Sequence, residues 1–225
     1  PNPPIVSEAS TIEINRSLFE GLVDLDPQLR LQPGLAQRWE SPDDLTWILR
    51  LRRGTSFHDG RPVTAADVLY SLERARDHAA SRVSSFLVAV ESWRALDDAT
   101  LELRTLRPYP ILLNKLALVM IVPAGSPDPI VEPVGTGPYK LAEWVRSSKI
   151  VLEADPDFRD LKWEWQAQEP GDAKLVEQMK GRKIPIVDRV EISVMEEDQA
   201  RWLAFRNGEL DLMNMEGPLA PKVLN

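Results

Sequence analysis

Short apolar patterns of two different periods alternate along this chain, and this alternation limits the possible folds more than any other feature. Residues 45–51 alternate apolar and polar side chains, which is typical of a strand with one polar face. Thr64 and Asp67 form a capping box that opens a helix ending near Arg76, with apolar residues at helical spacing. Because strands and helices alternate in this way, the sequence predicts a mixed α and β fold.

The same periodicities predict the remaining elements. A capping box at Ser10-Thr11-Ile12-Glu13 predicts a first helix over 11–23. The other expected elements are strands at 93–96 and 100–105, a short helix at 111–118, a buried strand at 119–122, a hairpin at 139–153, helical spacing of Leu175, Val176 and Met179, a strand at 190–194, a helix at 199–205 and a short strand at 210–213.

Composition excludes several classes of function. The 225 residues carry a net charge of −8 without a basic stripe, which argues against nucleic acid as a partner. No cysteine is present and there are only two histidines, so the usual zinc, iron–sulfur and thiolate sites are excluded and no metal site is expected. No segment approaches the roughly 20 apolar residues of a spanning helix, so direct membrane insertion is not expected.

The candidate chemical motifs all have simpler explanations. Gly135-Thr136-Gly137 lacks the third glycine of a dinucleotide loop, since position 140 is Lys, and is interpreted as a tight turn before a strand. The sequence contains no Gly-x-Ser-x-Gly elbow that would supply an activated serine, so His58-Asp59 is interpreted as a solvent-exposed turn. Paired carboxylates such as Asp97-Asp98 stand in polar turns, where they stay ionised. We therefore expect neither an enzyme nor a cofactor.

The order of several motifs resembles that of the extracellular solute-binding proteins of peptide and nickel importers, family 5. Any one of these motifs is weak, but together they follow the family order over nearly the whole chain. The matching segments are Leu18-Phe19-Glu20-Gly21-Leu22-Val23, Pro33-Gly34-Leu35-Ala36, Trp39-Glu40, residues 46–52, residues 57–68, Gly135-Thr136-Gly137-Pro138-Tyr139 and Asn207-Gly208-Glu209-Leu210-Asp211.

The resemblance implies a periplasmic-binding-protein-like lobe of the type II, cluster C architecture. Family members have two lobes that close on a ligand, and they are much longer than this chain. Residues 1–24 and 124–225 are expected to form the main part of lobe one, and residues 25–123 an inserted smaller sub-domain. The second lobe is expected to be absent, so that the chain is a fragment carrying one wall of the cleft.

The resemblance also implies a function without catalysis. The expected role is the substrate-binding component of an ABC-type importer, located in the periplasm or on the extracellular face of the cytoplasmic membrane. Its expected partners are a small solute, with peptides among the candidates, and the membrane permease of the transporter. The alternative is an interaction or signalling protein that reuses the solute-binding fold without transport.

The residues that the resemblance places at the ligand are few. They belong to the segment before the first helix, to one position after the second helix and to the stretch after the Gly-Glu-x-Asp motif. They are Ser7, Glu8, Ala9, Ser10, Val83, Met213, Asn214 and Met215. Peptide binders often have aromatic residues at positions resembling Val83 and Asn214, and their absence here argues against a peptide ligand. A long insertion at 158–185 is expected to form an extra helix or to contact a partner.

Overall fold

The computed structural model describes residues 9–26, 28–79, 81–164, 166–167 and 169–213. Its helices are α1 (Ala9–Leu18), α2 (Ala65–Asp77), α3 (Leu112–Leu116), α4 (Ala173–Met179) and α5 (Asp198–Arg206), with 3-10 turns at Ser84–Phe86 and Pro170–Asp172. Its strands are β1 (Val23–Leu25), β2 (Leu31–Pro33), β3 (Ala36–Glu40), β4 (Thr46–Leu51), β5 (Val90–Asp97), β6 (Thr100–Thr105), β7 (Tyr139–Val145), β8 (Lys149–Ala154) and β9 (Arg189–Ser193).

The strands form three sheets. β1 and β2 make an antiparallel pair, and β3, β4, β6 and β5 make a four-stranded antiparallel sheet in that order. The third sheet has the order β7, β8, β9. In the four-stranded sheet Leu49 of β4 faces Leu101 of β6, and both side chains are fully buried. The strand predicted at 45–51 is confirmed as β4. Its alternating pattern arises because Leu49 and Leu51 face the core.

The core lies between the four-stranded sheet and two helices. The core residues of α2 are Ala65, Val68, Leu72 and Ala75, and α3 adds Leu112, Leu113 and Leu116. Burying a leucine fully contributes about 1.5–3 kcal/mol, so these layers hold one another in place.

The capping box predicted for α2 is confirmed and has a second role. Asp67 Oδ2 accepts a hydrogen bond from the backbone nitrogen of Thr64 at 2.9 Å. Asp67 Oδ1 accepts another from the backbone nitrogen of Ala124 at 2.8 Å. In the same helix Ser71 Oγ accepts from the backbone nitrogen of Val122 at 2.9 Å. The start of α2 therefore holds the segment that leaves α3.

Three predicted elements differ in the structure. The first helix begins at Ala9, so Ser10 lies inside it, and it ends at Leu18 rather than at residue 23. It ends early because the carbonyl oxygens at its end bond to other segments instead of to the next helical turn. The carbonyl of Leu18 accepts a hydrogen bond from the backbone nitrogen of Gly137, and the carbonyl of Leu22 accepts one from the backbone nitrogen of Ala36. Residues 119–122 are buried, but their only β-bridge to another described residue joins Met120 to Gly21, so the strand predicted there is not formed. Residues 210–213 contain no strand.

The described chain divides into two compact units by its own contacts. The first unit comprises residues 1–141 and 153–188, and the second comprises residues 142–152 and 189–225. The predicted sub-domain boundaries at 24/25 and 123/124 fall inside the first unit, and they stay a prediction. None of the helices in the described part of the chain combines the length and the apolar composition needed to cross a bilayer.

The insertion predicted at 158–185 lies in the first unit and contains the extra helix, α4. The insertion closes on itself, since Trp163 and Arg182 pair through their backbones at 2.9 Å. No residue of α4 is buried, and Leu175 is 60% exposed. Contact of this insertion with a partner stays a prediction, and Trp165 lies outside the described residues.

Candidate functional site

A polar cavity of about 360 Å³ opens in the first unit. Residues from the end of α1, from the loop after β4, from the turn before β7 and from the turn after β8 line it. Its charged lining residues are Glu20, Arg52, Arg53, Lys140, Asp155, Asp157 and Arg159. Its volume lies in the range of small-molecule sites, so its charges and their pairing decide what it can do.

Two of the residues that line the cavity, Arg159 and Glu20, form an ion pair. The two side chains are in direct contact, and they are only 18% and 11% exposed. Burial lowers the pKa of Arg159 to about 10, so the guanidinium stays charged at neutral pH. Among the described residues nothing hydrogen-bonds Oε2 of Glu20, so Arg159 is the group that compensates this buried carboxylate.

A second ion pair holds the turn after β8. Lys140 Nζ lies 2.8 Å from Asp155 Oδ1, and the Asp155 side chain is only 8% exposed. The same oxygen accepts from the backbone nitrogen of Asp157 at 3.1 Å, and the backbone of Asp155 donates to the carbonyl of Pro138 at 2.9 Å. Asp155 thus stabilises both its own turn and the start of β7. Because these contacts engage its carboxylate, it is poorly placed to act as an acid or a base.

His58 clamps the loop of Gly135, Thr136 and Gly137. Its Nε2 lies 3.0 Å from the carbonyl oxygen of Gly137, and the backbone nitrogen of Gly135 donates to its Nδ1 at 3.3 Å. The backbone nitrogen of His58 also donates to the carbonyl of Gly135 at 2.8 Å. Since Nδ1 accepts, the proton of the neutral ring is on Nε2. The predicted solvent-exposed turn is therefore wrong for His58, which is half-buried because three hydrogen bonds draw it against this loop.

The glycines of this loop lie against the end of α1. A Cβ atom on Gly135 would be 1.9 Å from the carbonyl oxygen of Leu18, and one on Gly137 would be 2.5 Å from that of Ser17. The backbone nitrogen of Gly137 donates to the carbonyl of Leu18 at 2.9 Å. The loop is thus a close backbone contact before β7, and the glycines are needed for that approach.

The burial of His58 predicts a pH-dependent stability. Desolvation by burial lowers the pKa of His58 below its usual 6.5. Below pH 6.5 the unfolded chain therefore takes up a proton that the folded chain resists, so the free energy of unfolding falls as the pH falls. We expect urea midpoints measured between pH 7.5 and 5.5 to decline in the parent and to decline less in His58→Gln.

The matched control for this prediction is His78→Gln, because His78 is the other histidine of the chain. That variant keeps His58 and should retain the decline. Equal slopes for the parent and His58→Gln would show that His58 does not resist protonation in the folded protein.

The residues predicted to contact a ligand do not line the polar cavity where they are described. Ala9 and Ser10 form the first turn of α1, and Met213 is half-buried after α5 in the second unit. Val83 is 5% exposed and packs in the hydrophobic core, so its burial is explained by packing and requires no ligand contact. Ser7, Glu8, Asn214 and Met215 lie outside the described residues. A ligand contact by any of these residues stays a prediction.

The geometry supports binding and scaffolding rather than acid–base chemistry. Both ring nitrogens of His58 are engaged by backbone groups, and Asp59 pairs with Arg61 at 2.8 Å instead of with the histidine. The described residues contain no cluster of His, Asp and Glu able to hold a metal ion. Sequence reasoning did not find the polar cavity, because Glu20 and Arg159 stand far apart in the chain and each is unremarkable by itself.

This fold is that of a periplasmic binding protein. The ABC transporter-associated periplasmic binding protein DppA from Helicobacter pylori, solved in complex with the peptide STSA, superposes on 99% of this chain with a TM-score of 0.75 and 25% sequence identity. The matched region is 45% of that protein. The predicted fold class is therefore confirmed.

The chain belongs to the bacterial extracellular solute-binding proteins of family 5, whose model matches residues 30–223. The periplasmic oligopeptide-binding protein OppA of Escherichia coli K12 is 30% identical over 92% of this chain and 39% of its own length. The glutathione-binding protein GsiB of Pectobacterium atrosepticum is 31% identical over 68% of this chain and 31% of its own length. The predicted family is confirmed, and the chain spans less than half the length of these relatives.

Proposed function

We propose that this chain is part of the substrate-binding component of an ABC-type importer. The family match over residues 30–223 is the observation that carries the proposal. In this role the protein works outside the cytoplasmic membrane, captures a solute and delivers it to a membrane permease. It needs a rigid scaffold and a shaped cleft, and the buried core and paired charges of the first unit are consistent with a scaffold of this kind.

The proposed ligand class is a short peptide. Three relatives support this class. Two are named for binding oligopeptides and glutathione, and the third was solved in complex with the peptide STSA. Each of these ligands contains peptide bonds. Peptide bonds offer donors and acceptors that backbone groups recognise without aromatic side chains. The amide Asn214, in a position where aromatic residues are frequent among peptide binders, would then leave the side chains of the ligand loosely specified.

The proposed binding residues are those at the start of α1 and those after α5. Ala9 and Ser10 belong to the first turn of α1, where free backbone N–H groups can meet a peptide carboxylate. Met213 contributes an adaptable thioether side chain, which suits ligands of variable shape. Catalysis has no part in this proposal, and the role needs no cofactor.

The direct test is native mass spectrometry of the gene product purified from its own cells without refolding. The expected result is a protein carrying adducts with masses of short peptides, displaced when the tripeptide Ala-Ala-Ala is added. Glutathione is the second probe, because it carries a γ-linkage that backbone recognition of ordinary peptides would disfavour. A folded, adduct-free protein that binds neither probe would contradict the proposal.

The role proposed for Met213 has its own test. Met213→Ala should weaken binding of Ala-Ala-Ala by about tenfold, the loss typical of the few contact residues that carry most of the binding energy, with little change in melting temperature. Met179→Ala is the matched control, since Met179 is also a half-buried methionine but lies on α4, outside the proposed site. Calorimetry that gives the same affinity for both variants would exclude Met213 from the site.

A further inference from the structure

The polar cavity of the first unit has charges that its own ion pairs do not neutralise. Its two buried ion pairs account for four of the charged lining residues. The charged residues that remain are Arg52, Arg53 and Asp157. The lining therefore carries one more cation than carboxylates, although the whole chain has a net charge of −8. A local excess of positive charge in an acidic protein favours an anion at this place.

Arg52 lines the cavity directly after the end of β4, and its backbone is fixed. The backbone nitrogen of Arg52 donates to the carbonyl of Leu35 at 2.8 Å, and its carbonyl accepts from Oγ1 of Thr55 at 3.3 Å. The side-chain Nε is buried and has no hydrogen-bond partner among the described residues. Because an unpaired buried donor costs free energy, an acceptor in the cavity would stabilise this side chain.

Thr136 adds a second unpaired group to the same cavity. The residue is 4% exposed, and its Oγ1 makes no hydrogen bond to any part of the chain that the structure describes. It stands between Gly135 and Gly137, whose backbones are held by His58 and by the end of α1. Since the loop is fixed in this way, Thr136 has little freedom to move its hydroxyl towards a partner elsewhere in the protein.

We propose that this cavity binds a small molecule through a carboxylate or phosphate group. Oxygen atoms of such a group accept hydrogen bonds from Nε of Arg52 and from the hydroxyl of Thr136, two buried donors that the described residues leave unpaired. A guanidinium matches the geometry of these groups, and its charge strengthens the hydrogen bonds. The cavity volume of about 360 Å³ lies near the lower end of small-molecule sites, so the ligand is small.

A metal cation fits the cavity less well than an anion. The part of the chain that the structure describes has no cluster of His, Asp and Glu able to hold a metal ion. The carboxylates of Glu20 and Asp155 already contact Arg159 and Lys140. Asp157 is the remaining carboxylate of the lining, and it is exposed, so solvent screens its repulsion of a bound anion.

This anion site is separate from the proposed peptide site, whose described residues do not line the cavity. The lining comes from the end of α1, the loop after β4 and the turns beside β7 and β8, so a bound group contacts segments that are distant in the sequence. A ligand that binds only the folded state stabilises it. The anion therefore acts on the stability of the first unit, and this inference does not depend on the proposed function.

Calorimetric titration of the complete gene product with inorganic phosphate and with succinate tests the proposal. Both titrations are made in Tris buffer at pH 7.5, with NaCl holding the ionic strength constant. We expect saturable binding of at least one probe with a Kd below about 10 mM, and the tighter probe identifies the bound group as phosphate or carboxylate. Absence of binding of both probes up to about 10 mM would overturn the proposal.

Two substitutions locate the bound anion. Arg52→Gln should raise the Kd at least about tenfold, because a charge-assisted hydrogen bond is lost. Thr136→Val should raise it about threefold or more, because the hydroxyl donor is removed. Arg38→Gln is the matched control, since Arg38 is an exposed arginine of β3 outside the cavity, and the Kd should stay within about twofold. An unchanged Kd in Arg52→Gln would place the anion elsewhere and overturn the proposal.

Urea denaturation distinguishes a lost ligand contact from a damaged fold. Because Nε of Arg52 and Oγ1 of Thr136 have no hydrogen-bond partner among the described residues, both variants should keep the parent midpoint in anion-free buffer. The tighter anion should raise the midpoint of the parent and raise it less in the two variants. An equal rise in the parent and in Arg52→Gln would contradict the assignment of this residue to the site.

Competition with a peptide separates this proposal from the proposed function. Ala-Ala-Ala should not displace the bound anion, since the two sites share no described residue. Displacement would show that both ligands occupy one site and would overturn the inference. A protein that binds the anion but no peptide would reject the proposed function alone.

Discussion

Gly135→Ala is expected to prevent stable folding. The new Cβ would lie 1.9 Å from the carbonyl oxygen of Leu18 and 2.7 Å from Cδ1 of Phe19. The nearer atom belongs to the backbone at the end of α1, so relief requires the loop to leave the helix and to break the bond from Gly137 to Leu18. We expect a loss above about 4 kcal/mol, which is comparable with the whole stability of many domains.

Gly171→Ala is the matched control for this substitution. Apart from its two neighbours in the chain, no atom of the described residues lies within 4 Å of a Cβ placed there, so the change in stability should stay within about 0.5 kcal/mol. Urea denaturation followed by tryptophan fluorescence measures both variants. A Gly135→Ala protein with a midpoint near that of the parent would show that the loop is not held against α1.

Arg159→Met should produce the second-largest effect. Methionine keeps an apolar stem but leaves the 11% exposed Glu20 without its cation. Removal of one partner of a buried ion pair costs about 3–5 kcal/mol, since the remaining charge is left uncompensated in a poorly solvated place. The urea midpoint should fall accordingly at pH 7.

Two further variants separate this effect from a general loss of packing. Adding Glu20→Gln to Arg159→Met removes the buried charge and should recover most of the loss. Arg61→Met breaks the pair with Asp59, whose side chains are 58% and 35% exposed, and should cost below about 1 kcal/mol. Equal losses for Arg159→Met and Arg61→Met would contradict the role of the Glu20 pair.

The sequence predicted those features that depend on near neighbours. The alternation at 45–51 specifies β4, because every second side chain must face the core. The capping box of α2 needs only Thr64 and Asp67, three residues apart. Family membership was also predictable, since it depends on the order of several motifs rather than on geometry.

Features that depend on distant partners could not be predicted in this way. α1 ends at Leu18 because the carbonyl of this residue bonds to the backbone of Gly137. Glu20 can be buried because it forms an ion pair with Arg159. The residues around His58 are typical of an exposed turn, but hydrogen bonds with the backbones of Gly135 and Gly137 hold its ring in a half-buried position. The same reason explains the missing strand at 119–122, where Val122 pairs with the side chain of Ser71 instead of with a neighbouring strand.

The clamp of His58 on its loop has a consequence for the kinetics of folding. The histidine and Gly137 are 79 positions apart in the chain, and Asp67 and Ala124 are 57 positions apart. Contacts of such long range slow folding, because a large loop must close before they form. The end of α1 is synthesised before Gly137 and Arg159, so it cannot be fixed until those residues have been made. The segment at the end of α1 is therefore among the last parts of the first unit to reach its native contacts, although it precedes its partners in the chain.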